Sequence, residues 1–239
     1  MKVEIIPCLE DNYAYLVQAS DGLAVIDPSQ AAPVLAALAG RTLTHILNTH
    51  HHWDHVGGNL ELKEKFGAPI IGPAKDAARI PGMDVGVDEK SGWQFAGHAV
   101  QVLEVPGHTR GAIAFVMDGN VFTGDTLFVM GCGRLFEGDA PTMWASLSKL
   151  MALPDETKIW CGHEYAKANV RFALSLEPDN QALIERARAM EPVSVPSTMG
   201  MEKQTNPFLR VAHLRKPLGM DGAGDAAVFA EIRRRKDSF

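Results

Sequence analysis

The sequence has few cysteines and no long apolar run. Its 239 residues include only three cysteines, Cys8, Cys132 and Cys161, and their wide separation excludes a disulfide framework and predicts reduced thiols. No stretch approaches the roughly 18 consecutive apolar residues of a membrane span. The amino-terminal segment carries Glu4 early and lacks an apolar core of signal-peptide length. We therefore expect a cytoplasmic protein.

An excess of positive charge is also missing. The formal net charge of -6 leaves no electrostatic footprint for nucleic acid over the whole molecule. The chain contains neither a nucleotide-binding glycine fingerprint nor a serine nucleophile elbow. With 46% hydrophobic and 22% charged residues, it has the composition of an ordinary globular protein that can bury a sizeable core.

Histidine is abundant in one place, residues 49–58, which hold four histidines, an aspartate and a Gly-Gly pair. This segment lies between a short apolar strand and a helix, and alternate residues of an extended segment project the same way. His50 and His52 can therefore bind one ion while His51 points elsewhere, and Asp54 and His55 suit a second ion. Zinc, iron and manganese all accept these ligands. A solvated histidine-rich turn is the structural alternative, and the complete set favours a metal site.

Three further metal-ligand candidates follow predicted strands: His108, Asp125 and His163. Each alone could be a structural loop residue or a turn cap, but side chains at strand ends can converge at one edge of a sheet sandwich. Asp125 is suited to bridge two cations with its two oxygens. Asp27, also at a strand end, could support the metal loop by hydrogen bonds or serve only as a cap, and both interpretations stay open.

The pattern of elements changes near residue 165. Strands and a hairpin around Asp118-Gly119-Asn120 come before it, with helices predicted at residues 31–38, 60–66 and 141–152. Helical patterns at residues 169–176, 180–190 and 226–236 come after it. Residues 73–92 form a polar, glycine-rich stretch that is predicted to cross the surface. We expect a metal-binding catalytic domain at residues 1–165 and a helical substrate-binding domain at residues 166–239.

Together these side chains predict an open, catalytic two-metal site. One ion would have His50, His52 and His108, the other would have Asp54, His55 and His163, and Asp125 would lie between them. Hydrolysis is the reaction class that such a site favours, while ester, amide and phosphodiester substrates stay open. A thioester needs no general acid, because its thiolate leaving group has a conjugate-acid pKa near 8.5. Asp54 and Asp125 are the catalytic candidates.

Residues 49–58, together with His108, Asp125 and His163, resemble the metallo-β-lactamase superfamily. Residues 131–138, 162–165 and 233–237 narrow the resemblance to glyoxalase II, the hydroxyacylglutathione hydrolases. The resemblance implies an α/β fold, an αββα sandwich with a small C-terminal α-helical domain. It also implies two divalent metal ions per chain, zinc foremost with iron or manganese as alternatives. A hydroxide bridging them would hydrolyse S-D-lactoylglutathione to D-lactate and glutathione, the second step of methylglyoxal detoxification.

The same resemblance implies which residues bind the glutathione thioester: Arg134, Phe136, His163, Tyr165, Arg233 and Lys236. Arginine and lysine suit the carboxylates of glutathione. Some members have lysine and tyrosine where this chain has Arg134 and Phe136, so one hydroxyl contact to the peptide is missing and weaker affinity is expected. We expect a small-molecule substrate, no nucleic acid or membrane partner, and a monomer or weak homo-oligomer.

Three rival functions differ in what they require. A glutathione-persulfide dioxygenase of the same superfamily works with one iron and consumes oxygen. An RNA-processing nuclease of the same fold needs a basic groove, which fits poorly with the net charge. A non-catalytic metal-binding module would not leave coordination positions open.

Overall fold

The computed structural model describes residues 1–239, which divide into two compact units. Unit 1 comprises Met1–Glu104 and Gly111–Gly124, and unit 2 comprises Val105–Arg110 and Asp125–Phe239. No helix in the structure combines the length and the apolar character needed to cross a bilayer. The expected domain boundary at residue 165 stays a prediction.

Unit 1 is built on a six-stranded mixed sheet with the order β1-β2-β3-β4-β5-β6. Its strands are β1 (Lys2–Cys8), β2 (Asn12–Gln18), β3 (Leu23–Ile26), β4 (His45–Leu47), β5 (Ile70–Pro73) and β6 (Val85–Val87). The first three strands pair antiparallel, and β3 to β6 pair parallel. The parallel arrangement places the ends of β3 and β4 at the same sheet edge, where the histidine-rich loop begins.

Helices cover this sheet and bury one apolar core. They are α1 (Ala31–Leu38), α2 (Trp53–Val56) and α3 (Asn59–Phe66), with a 3-10 helix at Ala74–Asp76. Val34 and Leu62 from the helices join Val25 and Ile46 from the strands in a cluster that excludes solvent. Helix α3 ends at Gly67, whose left-handed φ of 66° suits a glycine. The predicted helices at residues 31–38 and 60–66 are therefore confirmed.

A second group of strands in unit 1 consists of β9 (Gln101–Glu104), β10 (Ile113–Met117) and β11 (Asn120–Gly124), and a small hairpin pairs β7 (Gln94–Phe95) with β8 (His98–Ala99). Asp118 and Gly119 form the two-residue turn between β10 and β11, with φ values of 49° and 71°. Positive φ at both central positions is the turn geometry that suits the strand twist, so the predicted hairpin is confirmed. Most of residues 73–92 are exposed or half-buried, as predicted for a stretch that crosses the surface, but this stretch also contains β6, which the sequence did not indicate.

Unit 2 contains two short strand pairs and six helices. The strands are β12 (Leu127–Phe128), β13 (Gly131–Cys132), β14 (Lys158–Cys161) and β15 (Ser197–Thr198). The helices are α4 (Ala140–Met151), α5 (Ala166–Leu176), α6 (Gln181–Arg188), α7 (Met199–Thr205), α8 (Val211–Leu214) and α9 (Asp225–Asp237). Asp139, Asn180 and Thr198 cap α4, α6 and α7 by accepting hydrogen bonds from backbone N–H groups of the first turn.

Polar side chains from the helices of unit 2 hold the β12–β13 turn. Asn206 donates to the carbonyls of Phe128 and Gly131 at 3.2 and 3.0 Å. Asn169 donates to the Val129 carbonyl at 3.0 Å. The Met130 N–H donates to buried Glu202 at 2.8 Å. Buried backbone groups need such partners, so the helical region fixes the segment that follows Asp125.

Candidate metal centre

The histidine-rich loop leaves β4 in unit 1 and turns into α2. Here the structure gathers three of the imidazoles predicted to be ligands. The ring centroid of His50 lies 4.8 Å from that of His52 and 4.2 Å from that of His55. His50 and His55 are buried. Such close packing of imidazoles suits a cation that accepts nitrogen ligands.

Asp27 anchors this loop from the end of β3. Its Oδ1 accepts from the N–H of Thr49 at 2.8 Å, and its Oδ2 accepts from the Thr49 hydroxyl at 2.6 Å. Oδ2 also lies 3.1 Å from Nδ1 of His55. A carboxylate beside Nδ1 keeps the proton there and directs Nε2 outward for a metal. Of the two interpretations of Asp27, the structure therefore favours the one in which it supports the histidine-rich loop by hydrogen bonds over the one in which it is only a cap.

Asp54 is oriented by a residue that the sequence did not reveal. The side-chain amide of Asn12 donates to both Oδ2 and the backbone carbonyl of Asp54, each at 3.1 Å. Oδ2 of Asp54 also lies 3.7 Å from Nε2 of His55. The carboxylate and the imidazole thus present donor atoms to a common point, as predicted for one ion. Only the spatial pairing of the β2 start with α2 identifies Asn12.

The Gly-Gly pair after the motif is required by close backbone packing. Gly58 donates its N–H to the Pro28 carbonyl at 2.8 Å. A Cβ at Gly58 would lie 2.9 Å from the backbone of Pro28, Gln30 and Ala31. At Gly57 it would lie 2.4 Å from the Ser29 carbonyl oxygen. These glycines let the metal-loop helix sit against the β3–α1 connection that carries Asp27.

Unit 2 brings together the other three predicted ligands. Oδ2 of Asp125 lies 3.4 Å from Nε2 of His108 and 3.2 Å from Nε2 of His163. All three side chains are buried. Nδ1 of His108 lies 2.9 Å from the carbonyl oxygen of Arg134 and donates to it, which leaves Nε2 to face the carboxylate. One carboxylate between two imidazoles is the arrangement expected of a shared metal ligand.

The donor chemistry of both groups fits divalent zinc, iron or manganese. Each group contains imidazole nitrogen and carboxylate donors, and further hydrogen bonds hold several of them in place. None of the groups of donor atoms includes a cysteine, and burial raises the pKa of Cys132 to about 11 and that of Cys161 to about 12. The three cysteines are buried and form no disulfide in the structure, and their reduced state stays a prediction.

Two exposed aromatic rings of unit 2 flank the imidazoles of His108 and His163. Tyr165 stacks on His163 with a centroid distance of 4.8 Å and an interplanar angle of 4°. Phe136, 64% exposed, packs 5.2 Å from the His108 ring. Both belong to the predicted substrate-binding set. A ring that is open to solvent beside a ligand histidine can contact a bound substrate.

Cationic side chains of the same set gather near α9. Burial, and then the positive charges of Arg233, Arg134 and Arg171, lower the pKa of Lys236. Arg134 is exposed. Arg233 is buried, donates to the Cys132 carbonyl at 3.0 Å and pairs with Asp237 at 2.8 Å. The cluster offers positive charge to an anionic ligand, while Arg233 also holds the β12–β13 turn.

Comparison with known proteins agrees with this architecture. The metallo-beta-lactamase superfamily model matches residues 9–163, and the hydroxyacylglutathione hydrolase C-terminus model matches residues 164–239. The hydroxyacylglutathione hydrolase of Rhizobium meliloti (strain 1021) is 51% identical, over 100% of this chain and 99% of that protein. The chain belongs to the hydroxyacylglutathione hydrolase family. Membership confirms the predicted α/β metallo-β-lactamase fold with a C-terminal helical region, and makes the chain a hydrolase that binds divalent metal.

Solved structures of this hydrolase family's superfamily are similar over most of the chain. The structure of ETHE1 from Myxococcus xanthus has a TM-score of 0.71 and 26% identity, covering 98% of this chain and 90% of that one. TTHA1623 in a di-iron-bound form has a TM-score of 0.62 and 29% identity, covering 87% of this chain and all of that one. The αββα fold is thus common to members with different names.

Proposed function

We propose that this chain hydrolyses S-D-lactoylglutathione, or a related 2-hydroxyacylglutathione, to the hydroxy acid and glutathione. The observation that carries the proposal is the pair of metal-donor groups, His50, His52, Asp54 and His55 in one unit and His108, Asp125 and His163 in the other. The relatives named for this activity, about half identical over their whole length, support the choice of substrate.

The seven ligands divide between two divalent metal ions in this proposal, zinc foremost with iron or manganese as alternatives. His50, His52 and His108 hold one ion, Asp54, His55 and His163 hold the other, and Asp125 is shared. The di-iron form of TTHA1623 supports a pair of ions. When bound, such a pair lowers the pKa of water towards about 7 and polarises a carbonyl oxygen.

The chain's own residues position the substrate and move the proton. Asp54, held by Asn12 at 3.1 Å, accepts a proton from the attacking water at its carboxylate. Water oxygen bonds to the thioester carbonyl carbon, the carbon–sulfur bond breaks, and the thiolate of glutathione leaves with the electron pair. Its conjugate-acid pKa near 8.5 lets it leave without prior protonation, and it takes up the proton afterwards.

The glutathione moiety binds to the residues of unit 2 that line α9 and the segment after β13. Arg134, Arg233 and Lys236 attract its carboxylates, and the rings of Phe136, His163 and Tyr165 contact its peptide. Without a hydroxyl at position 136, affinity for the peptide is lowered. In this proposal residues 1–165 form the metal-binding catalytic domain, and residues 166–239, which supply Arg233 and Lys236, form the helical substrate-binding domain. We place the enzyme in the cytoplasm, because unpaired cysteines suit a reducing compartment. We expect a monomer or weak homo-oligomer.

The test is to follow loss of the thioester of S-D-lactoylglutathione with and without a strong chelator. Turnover that stops with chelator and returns with zinc is expected. Turnover that is absent, or is insensitive to the chelator, refutes the proposal. The alternative, a mononuclear-iron glutathione-persulfide dioxygenase, predicts one iron per chain and oxygen consumption with glutathione persulfide, so metal analysis and an oxygen electrode separate the two.

A further inference from the structure

His51 is the middle one of three consecutive histidines and has a different environment from its neighbours. Its Nδ1 lies 2.9 Å from Oδ2 of Asp76, and the guanidinium of Arg79 contacts its Nε2. Arginine has only donors, so Nε2 must accept and the ring proton must be on Nδ1, which donates to Asp76. Both ring nitrogens are therefore engaged by protein side chains in unit 1.

The position of the Asp76 carboxylate is fixed by its surroundings. Asp76 ends the 3-10 helix after β5 and is only 2% exposed. Its Oδ1 lies 3.3 Å from Nη1 of Arg79. On its other side lies Gly111, where a Cβ would come within 2.3 Å of the carboxyl carbon. A carboxylate confined in this way can impose an orientation on the ring that it binds.

An extended loop of three imidazoles can present either His50 with His52 or the middle ring, because rotation of the backbone exchanges the two faces. We propose that Asp76 and Arg79 are positioning residues which hold His51 away from the metal and so determine that His50 and His52 are the ligands. This inference rests on the proposed function, since it concerns the same metal centre. It predicts that the loop binds metal with lower affinity when the contacts of Asp76 and Arg79 with His51 are removed.

The experiment compares Asp76→Asn with Asp84→Asn. Asp84 is a matched control from unit 1, since it accepts from the Ile70 N–H and Lys63 but contacts no residue of the metal loop. Zinc affinity is measured by competition with a chromophoric chelator, and the visible spectrum is recorded for the cobalt-substituted proteins. Asp76→Asn should bind zinc about 10-fold more weakly and alter the cobalt spectrum, while Asp84→Asn matches the parent.

Gly111→Ala should give the same loss of affinity as Asp76→Asn, because its methyl group displaces the carboxylate. Parent-like affinity and spectrum in Asp76→Asn would overturn the inference. If the parent protein itself binds no zinc, the proposed function fails instead, so the two failures are distinguishable.

A second pair of variants keeps the inference testable if Asp76→Asn does not fold. His51→Asn retains an N–H that can donate to Asp76 in place of Nδ1, whereas His51→Ala removes it. Asparagine should rescue the zinc affinity that alanine loses. The inference is wrong if His51→Ala and His51→Asn bind zinc equally well, whichever of them the parent resembles.

Discussion

Asp27 and His55, 28 residues apart in the sequence, are joined by a 3.1 Å contact between Oδ2 and Nδ1. The same carboxylate accepts two hydrogen bonds from Thr49, so one buried side chain sets both ends of the histidine-rich loop. Hydrogen bonds within the protein therefore fix the conformation of the loop, so the entropy of ordering it is lost on folding rather than on metal binding. The geometry of the histidine-rich loop therefore depends on Asp27, which lies outside the loop in sequence.

The first prediction concerns Asp27→Asn. Asparagine tolerates the positive φ of 49° at this position, so the backbone is retained. Asparagine has one acceptor oxygen where aspartate has two, so either His55 or Thr49 loses its hydrogen-bond acceptor. Zinc affinity should fall by roughly 10- to 100-fold. Chelator competition measures it, with Asp88→Asn in an exposed turn as the control, and an affinity equal to that of the control would contradict this role.

A second prediction separates Lys236 from Arg233. Lys236→Ala removes a cation from the proposed glutathione site and should raise KM about 10-fold with kcat little changed, since a charge-assisted hydrogen bond contributes about 1.5–3 kcal/mol. Arg233→Ala should do the same and also lower the melting temperature by about 5 °C, because the buried Cys132 carbonyl loses this donor. Steady-state kinetics and thermal unfolding provide the two readouts. A fall in kcat alone for both variants would contradict substrate binding.

The third prediction is a pH dependence of stability. Burial lowers the pKa of His45, whose ring packs against Trp93 and Phe95. The unfolded chain therefore binds a proton more readily, so the contribution of His45 is complete above its ordinary pKa of about 6.5 and is lost as pH falls towards the lowered value. Urea unfolding of metal-free protein at pH 8 and at pH 5.5 should show a smaller loss for His45→Phe than for the parent. Equal losses would refute it.

A fourth prediction tests the turn between β12 and β13. Asn206→Ala leaves the buried carbonyls of Phe128 and Gly131 without this donor, and should lower the free energy of unfolding by about 3 kcal/mol. Asn180→Ala, the control, removes the cap of α6 and an exposed hydrogen bond to the Gln204 carbonyl, and should cost about 1 kcal/mol. Chemical denaturation measures both. Equal costs would show that the helical region does not hold the turn.

Periodicity and local chemistry predicted the parts of the fold that depend on nearby residues. Helices α1 and α3 and the hairpin at Asp118-Gly119 follow from glycines and apolar spacing within a few residues. Strand β6 was missed because it is three residues long, includes Gly86 and is formed by pairing with β5 rather than by its own pattern.

The candidate site likewise contains residues that the sequence identifies and residues that only the structure identifies. His50, His52 and His55 are recognisable because they lie together in the sequence with a fitting spacing. Asn12 and Asp76 are not, because their roles come from hydrogen bonds to residues 42 and 25 positions away that no local pattern records. The sequence could identify side chains able to bind metal, whereas the groups that orient them required the structure.

The most direct test is to titrate the metal-free protein with zinc while measuring hydrolysis of S-D-lactoylglutathione. Two ions held by seven side chains predict that activity rises from zero and reaches a plateau at about two equivalents per chain, and that Asp125→Ala never reaches it. Hydrolysis by the metal-free protein, or a plateau at one equivalent that Asp125→Ala shares, would contradict the account.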